Sequence, residues 1–173
     1  MDGKLLLECR RFRVEQVEKP GGDGQLHVRE VVRHPGSVVL LPVVDQDHLC
    51  LIKNYRVAVD RTLIELPAGT LEPDEPPLET AHRELIEETG YRAGQLKLMT
   101  AFFAAPGILD EWMHLFLATE LTAGSPAREP GERIENYVVT VDHALDMVRR
   151  GEIHDAKTIV GLLFYQQFSR SQV

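Results

Sequence analysis

The stretch GTLEPDEPPLETAHRELIEETGY, residues 69–91, decides how the rest of the chain is read. Its first part is a loop, because Pro73, Pro76 and Pro77 follow one another closely and successive prolines oppose helix. Residues 78–89 then read as a helix, opened by the prolines and stopped by Gly90. Taking Glu84 as zero at about 100° per residue, Glu88 lies near about +40° and Glu87 near about −60°. Leu78, Leu85, Ile86 and Thr89 fall between roughly +100° and +200°. One face is apolar, and the other gathers three carboxylates within about a turn and a half. Like charges at these spacings repel and destabilise an isolated helix. A cluster that works against folding is a candidate site, and a divalent cation relieves its repulsion. Carboxylate oxygens with no His or Cys nearby favour Mg²⁺, with Mn²⁺ as the alternative, over zinc. Three glutamates alone are more often a solvated acidic face partnered by Arg83, so the wider pattern has to decide.

Upstream of this helix the chain reads as strands. Residues 5–17 and 26–33 are extended runs separated by the turn-forming KPGGDG at 19–24, and read either as a hairpin or as a separate arm packing on a partner chain. SVVLLPVV, residues 37–44, is the continuous apolar run of a buried strand. A turn at 45–48 returns the chain through 49–57, and TLIELPAG at 62–69 is a short strand ending in a proline-glycine corner. Downstream, strands are expected at 95–101, 112–119 and 135–141, with a polar, mobile loop at 122–133. Helices follow at 142–150 and at 155–168, the last capped by Asp155. Strands mixed with few helices point to an α/β protein whose sheet is covered on both faces. Neither GxGxxG nor GxxxxGK[ST] occurs.

Bulk properties narrow the function. A chain of 173 residues suits one domain, with room for a small appended piece. The net charge of −8 with scattered basic residues leaves no footprint for nucleic acid or an anionic membrane surface. An acidic protein that holds a polyanion therefore needs cations in its site. Cys9 and Cys50 stand in no metal-binding spacing and read as two buried thiols rather than a disulfide, as in a reducing compartment. No apolar run approaches the roughly 20 residues of a membrane span, and MDGKLLLECRR is too charged for a signal peptide. The expected location is the cytoplasm.

Gly69, Glu75 and the run Arg83-Glu84-Leu85-Ile86-Glu87-Glu88-Thr89-Gly90-Tyr91 resemble the Nudix box, Gx5Ex7REUxEExGU with U an apolar residue. Every defined position is filled. The resemblance implies a Nudix-type α/β/α sandwich with a mixed sheet over residues 35–173, preceded by an N-terminal β-strand arm, residues 1–34, that serves dimerisation. It implies Glu84, Glu88 and Glu87 as metal ligands, joined by the backbone carbonyl of Ala68, with Arg83 orienting the carboxylates. Glu75 either orients Arg83 or holds a metal through water.

Three further segments resemble the ADP-ribose pyrophosphatase branch of that family. They are Tyr55-Arg56 with the ELPAG at 65–69, the AAPGILDE loop containing Pro106, and GERIENYVV with the tail at 151–163. Ala105 stands where that branch commonly has serine. The branch implies a nucleoside diphosphate sugar as substrate, above all ADP-ribose cut to AMP and ribose 5-phosphate. It implies Arg56, Glu65 and Pro106 at the substrate, since a guanidinium suits phosphate. Glu111 resembles a loop glutamate that assists the metal site. Glu132 in GERIE resembles a loop glutamate near the attacked phosphorus, and is the candidate water-activating base, with Glu129 and Glu135 as neighbours. Core packing is the preferred reading of Phe103 and Trp112, and His82 and His114 read as structural. Alternatives are a GDP-mannose or broad nucleotide-sugar hydrolase, or a sensor that binds ADP-ribose-like ligands without turnover.

Overall fold

The computed structural model describes residues 3–128 and 130–170. Its first three strands, β1 (Lys4–Glu8), β2 (Arg13–Pro20) and β3 (Leu26–Arg33), form an antiparallel sheet of their own. The arm is thus a three-stranded meander, where the sequence suggested one long run and a second strand. The first run breaks at the charged pair Arg10-Arg11, in a turn closed by the Cys9 N–H donating to the Phe12 oxygen at 2.9 Å. Cys50 is buried as expected, but Cys9 sits in this turn and is exposed; both are free thiols.

The remaining strands are β4 (Ser37–Pro42), β5 (His48–Arg56), β6 (Arg61–Glu65), β7 (Ala68–Thr70), β8 (Arg92–Phe103), β9 (Trp112–Thr122) and β10 (Ile134–Thr140). The helices are α1 (Pro77–Thr89), α2 (Val141–Arg149) and α3 (Ala156–Phe168). One sheet is mixed, in the order β7-β4-β9-β8, with β4 and β9 parallel; the other is antiparallel, β10-β5-β6. The apolar run of β4 is buried on both faces, and its alternation divides the core. Val38 and Leu40 pack with Ala81 and Leu85 of α1, together with Phe116 and Ala118. Val39 and Leu41 face the opposite way, into a larger cluster with Leu49 and Leu51 of β5, Met147 of α2 and Leu162 of α3. Each fully buried Leu contributes about 1.5–3 kcal/mol, and the two clusters together produce the expected layered sandwich.

The segment expected as one strand over residues 62–69 is two. Pro67 has no N–H to give a ladder, and there the chain leaves the β10-β5-β6 sheet for the mixed one. The crossing is sealed by the Leu40 N–H donating to the Pro67 oxygen at 2.9 Å. It delivers Ala68 and Gly69 to the side of α1 that carries Glu84 and Glu88. Leu78 in the first turn of that helix, assigned above to its apolar face, is 47% exposed. Trp112 and Phe103 are not core residues either. They lie partly exposed at the ends of paired strands and pack edge-to-face on each other at 4.5 Å.

Candidate active site

Helix α1 begins at Pro77 without a side-chain cap and ends at Gly90, whose positive φ of 80° closes the last turn with an N–H to the Ile86 oxygen. Between these ends Arg83 resolves the repulsion among the carboxylates. Its Nη1 donates to Glu84 Oε1 at 2.7 Å and to Glu87 Oε2 at 3.0 Å. Its Nε and Nη2 clasp the two oxygens of Glu75 at 3.0 and 2.8 Å. The arginine therefore has a fixed orientation, and Glu75 is placed to set it rather than to face the cleft. Arg83 in turn holds the Glu75 carboxyl down to about 2.

Glu88 lies on the border between the acidic and apolar faces and is only 5% exposed. Its Oε2 accepts the Ala68 N–H at 2.9 Å. Burial, reinforced by the nearby Glu84 charge, pushes its carboxyl up to about 8. Burial also raises Glu84, against the opposing pull of Arg83. The charge of Glu132 is among the lesser influences raising both groups, which places it close to them. Gly69 is required for a different reason than a turn: a Cβ there would stand 1.8 Å from Glu84 Cδ. The missing side chain is the space in which the Glu84 carboxylate lies.

Ala68, Gly69, Glu84, Glu87 and Glu88 line a cleft of about 790 Å³, and Arg56 enters it from the end of β5. Glu132 lines the same cleft from the loop between β9 and β10. The turn of the arm also lines it, with Arg10, Arg11 and Phe12, as does Arg33 at the end of β3. Nothing in the sequence tied that turn to the site; three arginines interrupting an apolar strand run were the available signal.

Other expected residues stand outside this lining. Glu65 is fully buried and reaches the cleft only through Arg56, whose Nε and Nη2 donate to its two oxygens at 2.9 and 2.6 Å. Pro106 is exposed at the start of a turn in which the Ile108 and Leu109 N–H groups both donate to the Ala105 oxygen. Glu111 accepts from Ser37 Oγ at 2.9 Å and faces His34 Nδ1 at 3.7 Å. Glu135 is exposed on β10 opposite Lys53, and Glu129 lies outside the described residues.

Among the described residues no three His, Cys, Asp or Glu side chains converge as a finished metal cage. Arg83 stands between Glu84 and Glu87, as the two hydrogen bonds require. The donors nevertheless fit a hard divalent cation in their chemistry. They are all oxygen, their charges are crowded, and Glu88 is a carboxylate in a buried place that accepts one backbone N–H. Glu84, Glu87, Glu88 and the Ala68 carbonyl are the groups that would hold it.

This arrangement of a strand-to-loop corner against a glutamate helix is that of a known family. The NUDIX domain family matches residues 33–160, and the chain belongs to it. It is a hydrolase of that family, whose members generally work with a divalent metal. Among proteins similar to it, the ADP-ribose pyrophosphatase of Bacillus subtilis is 44% identical over 155 residues, covering 88% of this chain and 83% of the relative. The GDP-mannose pyrophosphatase of Cronobacter sakazakii is 39% identical over 157 residues, covering 83% of this chain and 81% of the relative. A solved structure described as an ADP compounds hydrolase superposes with a TM-score of 0.85 at 25% identity, over 99% of this chain and 94% of the other.

Proposed function

We propose that the protein hydrolyses the diphosphate linkage of a nucleoside diphosphate sugar, with ADP-ribose as its principal substrate and Mg²⁺ as its metal. The observation that carries this reading is one cleft lined by the Arg83-braced carboxylates, Arg56 and Glu132 together with Arg10, Arg11 and Phe12 of the arm. A cleft lined both by crowded carboxylates and by arginines suits a diphosphate brought in with a divalent cation. When bound, the cation neutralises phosphoryl oxygens and acidifies water. The chain supplies the rest by positioning and charge. Arg56 turns guanidinium N–H groups toward the diphosphate. Glu132 takes a proton from the attacking water; its oxygen joins one phosphorus as the bridging P–O bond breaks. From ADP-ribose the products are AMP and ribose 5-phosphate. The arm turn receives the end of the substrate remote from the box.

The GDP-mannose relative keeps a second sugar nucleotide in view, and Mn²⁺ is the alternative metal. A sensor without turnover is disfavoured because every box glutamate is present. The protein acts as a cytoplasmic homodimer joined through its arm, residues 1–34. No helix among the described residues is long and apolar enough to cross a membrane. The test is incubation with Mg²⁺ and a panel of ADP-ribose, GDP-mannose and other nucleotide sugars, read by phosphorus NMR. AMP and ribose 5-phosphate from ADP-ribose are expected; failure to cleave any of the panel would overturn the reading.

A further inference from the structure

Lys157 is buried at the start of α3, far from α1 in sequence and outside the lining of the cleft. Its Nζ donates to Glu65 Oε2 at 2.6 Å and lies 3.0 Å from Asp155 Oδ1. Glu65 Oε2 also accepts from Arg56 Nη2 at 2.6 Å, while Oε1 accepts from Arg56 Nε at 2.9 Å. One fully buried carboxylate is thus shared by two cations, only one of which borders the cleft. Burial raises the Glu65 carboxyl, and Arg56 and Lys157 together outweigh it and hold the group below its ordinary range.

We infer that Lys157 is a positioning residue, which through Glu65 fixes the edge of Arg56 that meets the diphosphate. The inference rests on the function proposed above. A guanidinium has five N–H donors in a rigid plane. Glu65 engages the Nε edge, which leaves the Nη1 side for the cleft. Lys157 pins the Glu65 oxygen against which that plane is registered. Without Lys157, the buried carboxylate has Arg56 as its remaining cation. The carboxylate is then no longer pinned at Oε2 by a second partner, and the guanidinium paired with it shifts with it, out of register with the phosphate.

The fold does not need Lys157 for α3 to dock. Thr158 Oγ1 accepts the Leu66 N–H at 2.7 Å, and Asp155 Oδ2 caps the helix by accepting from the Thr158 N–H at 3.0 Å. Gly161 lies so close to Leu66 that a Cβ would stand 2.4 Å from Leu66 Cδ1. These contacts remain in Lys157→Met, whose apolar stem has about the length of the lysine stem. A buried charge group kept where packing already suffices fits a role in orientation more than in stability.

The test is a double-mutant cycle of Lys157→Met and Arg56→Ala, with Lys157→Arg as the charge-keeping control and thermal melts to establish folding. Two readouts are used with Mg²⁺ present: turnover of ADP-ribose and of GDP-mannose, and calorimetric binding of α,β-methylene-ADP, a diphosphate that cannot be cleaved. Lys157→Met should lower kcat/KM and weaken methylene-ADP binding by about tenfold with Arg56 in place, and by less than twofold in Arg56→Ala. Lys157→Arg should recover most of the loss. Equal losses in both backgrounds would overturn the inference, as would unchanged binding in Lys157→Met. A wild type that binds methylene-ADP but cleaves neither sugar nucleotide defeats the functional reading alone, and the binding cycle still decides on Lys157. If Lys157→Met does not fold, the cycle is run with Lys157→Arg, where full activity and a full Arg56 dependence support the role and a loss independent of Arg56 refutes it.

Discussion

Arg128 donates from Nε to the backbone oxygen of Glu88 at 3.0 Å, so the loop that carries Glu132 is fastened to the end of the helix that carries the carboxylates. The same guanidinium reaches Asn136 Oδ1 at 2.8 Å, and Asn136 Nδ2 donates to the Thr89 oxygen at 2.8 Å. The Ala127 N–H meets the Glu87 oxygen at 3.0 Å. The last carbonyls of a helix lack intrahelical partners, and here the loop supplies them. On its far side the loop is tied by the Tyr55 N–H donating to the Arg133 oxygen at 3.2 Å. The whole of residues 122–133 is therefore not one free strap; both flanks of the segment 129–132 are anchored.

Arg128→Ala should accordingly impair catalysis and folding in separable ways. Loss of hydrogen bonds from a charged donor costs about 1.5–3 kcal/mol, visible as a lowered Tm. With Glu132 no longer registered to α1, kcat should fall by about tenfold while the Mg²⁺ dependence stays the same, since the ligands are untouched. Steady-state kinetics below the melting range checks this, and an unchanged kcat would show that the clamp stabilises without positioning.

Glu88→Gln isolates metal holding from packing. The amide oxygen can still accept the Ala68 N–H, and a neutral side chain suits a site that is 5% exposed. The variant should fold at least as well as wild type without metal. Its Mg²⁺-dependent hydrolysis should drop by more than about a hundredfold, several kcal/mol of lost transition-state stabilisation. Near-normal turnover at saturating Mg²⁺ would refute the ligand assignment.

Glu75 gives the molecule an acid-sensitive joint. Arg83 lowers its carboxyl to about 2, from 4.5 for an ordinary glutamate. A depressed carboxylate contributes its full stabilisation above about 4.5, and that contribution disappears as the pH falls toward about 2. Glu75→Gln should thus be less stable than wild type at pH 7, with a gap that closes steadily through this window. Urea unfolding in the presence of chelator, across that range, measures the difference directly; a gap independent of pH would place the effect outside the ion pair.

The arm predicts the assembly. Leu5, Leu6 and Leu7 on β1 are 51%, 47% and 50% exposed, so both faces of an edge strand are apolar and uncovered. Such an edge invites pairing unless it is covered. Light scattering at micromolar concentration should give twice the 19.5 kDa chain mass, and Leu5→Lys with Leu7→Lys should shift the species toward monomer. A wild-type monomer removes the proposal.

What the sequence made legible was what repeats locally. The box has fixed spacings, β4 is an uninterrupted apolar run, and Asp155 caps α3 as its side chain suggests. Helix and strand periods reveal a face but not what lies opposite it, so the same periodicity left Leu78 on the wrong side. The arm turn at Arg10 and Arg11 reaches the cleft, and Lys157 reaches Glu65 across 92 positions of chain. Such meetings depend on how layers stack, and no local pattern encodes them. Pro67 was legible as a corner, but a missing N–H does not say that the chain there changes sheets, as it does between β6 and β7.

Glu132 and Glu111 compete for the role of water-activating base, and the structure separates their surroundings. Glu132 lines the cleft with Glu84, Glu87 and Glu88, while Glu111 lies outside that lining with one oxygen accepting from Ser37 Oγ at 2.9 Å. A base has to come within hydrogen-bond reach of the water it deprotonates, and a carboxylate already holding a neighbouring strand in register is poorly disposed to do so. Glu132, on a short segment pinned at both ends, needs only a small local movement to meet a water beside the box. Glu132→Gln should lower kcat by about 10²–10⁴-fold with little change in Mg²⁺ affinity, the usual range for loss of a general base. Glu111→Gln should instead fold normally and leave kcat within a few-fold of wild type, since an amide oxygen still accepts the Ser37 hydroxyl. The reverse outcome, with Glu111→Gln inactive and Glu132→Gln near normal, would move the base to the loop that contains Pro106.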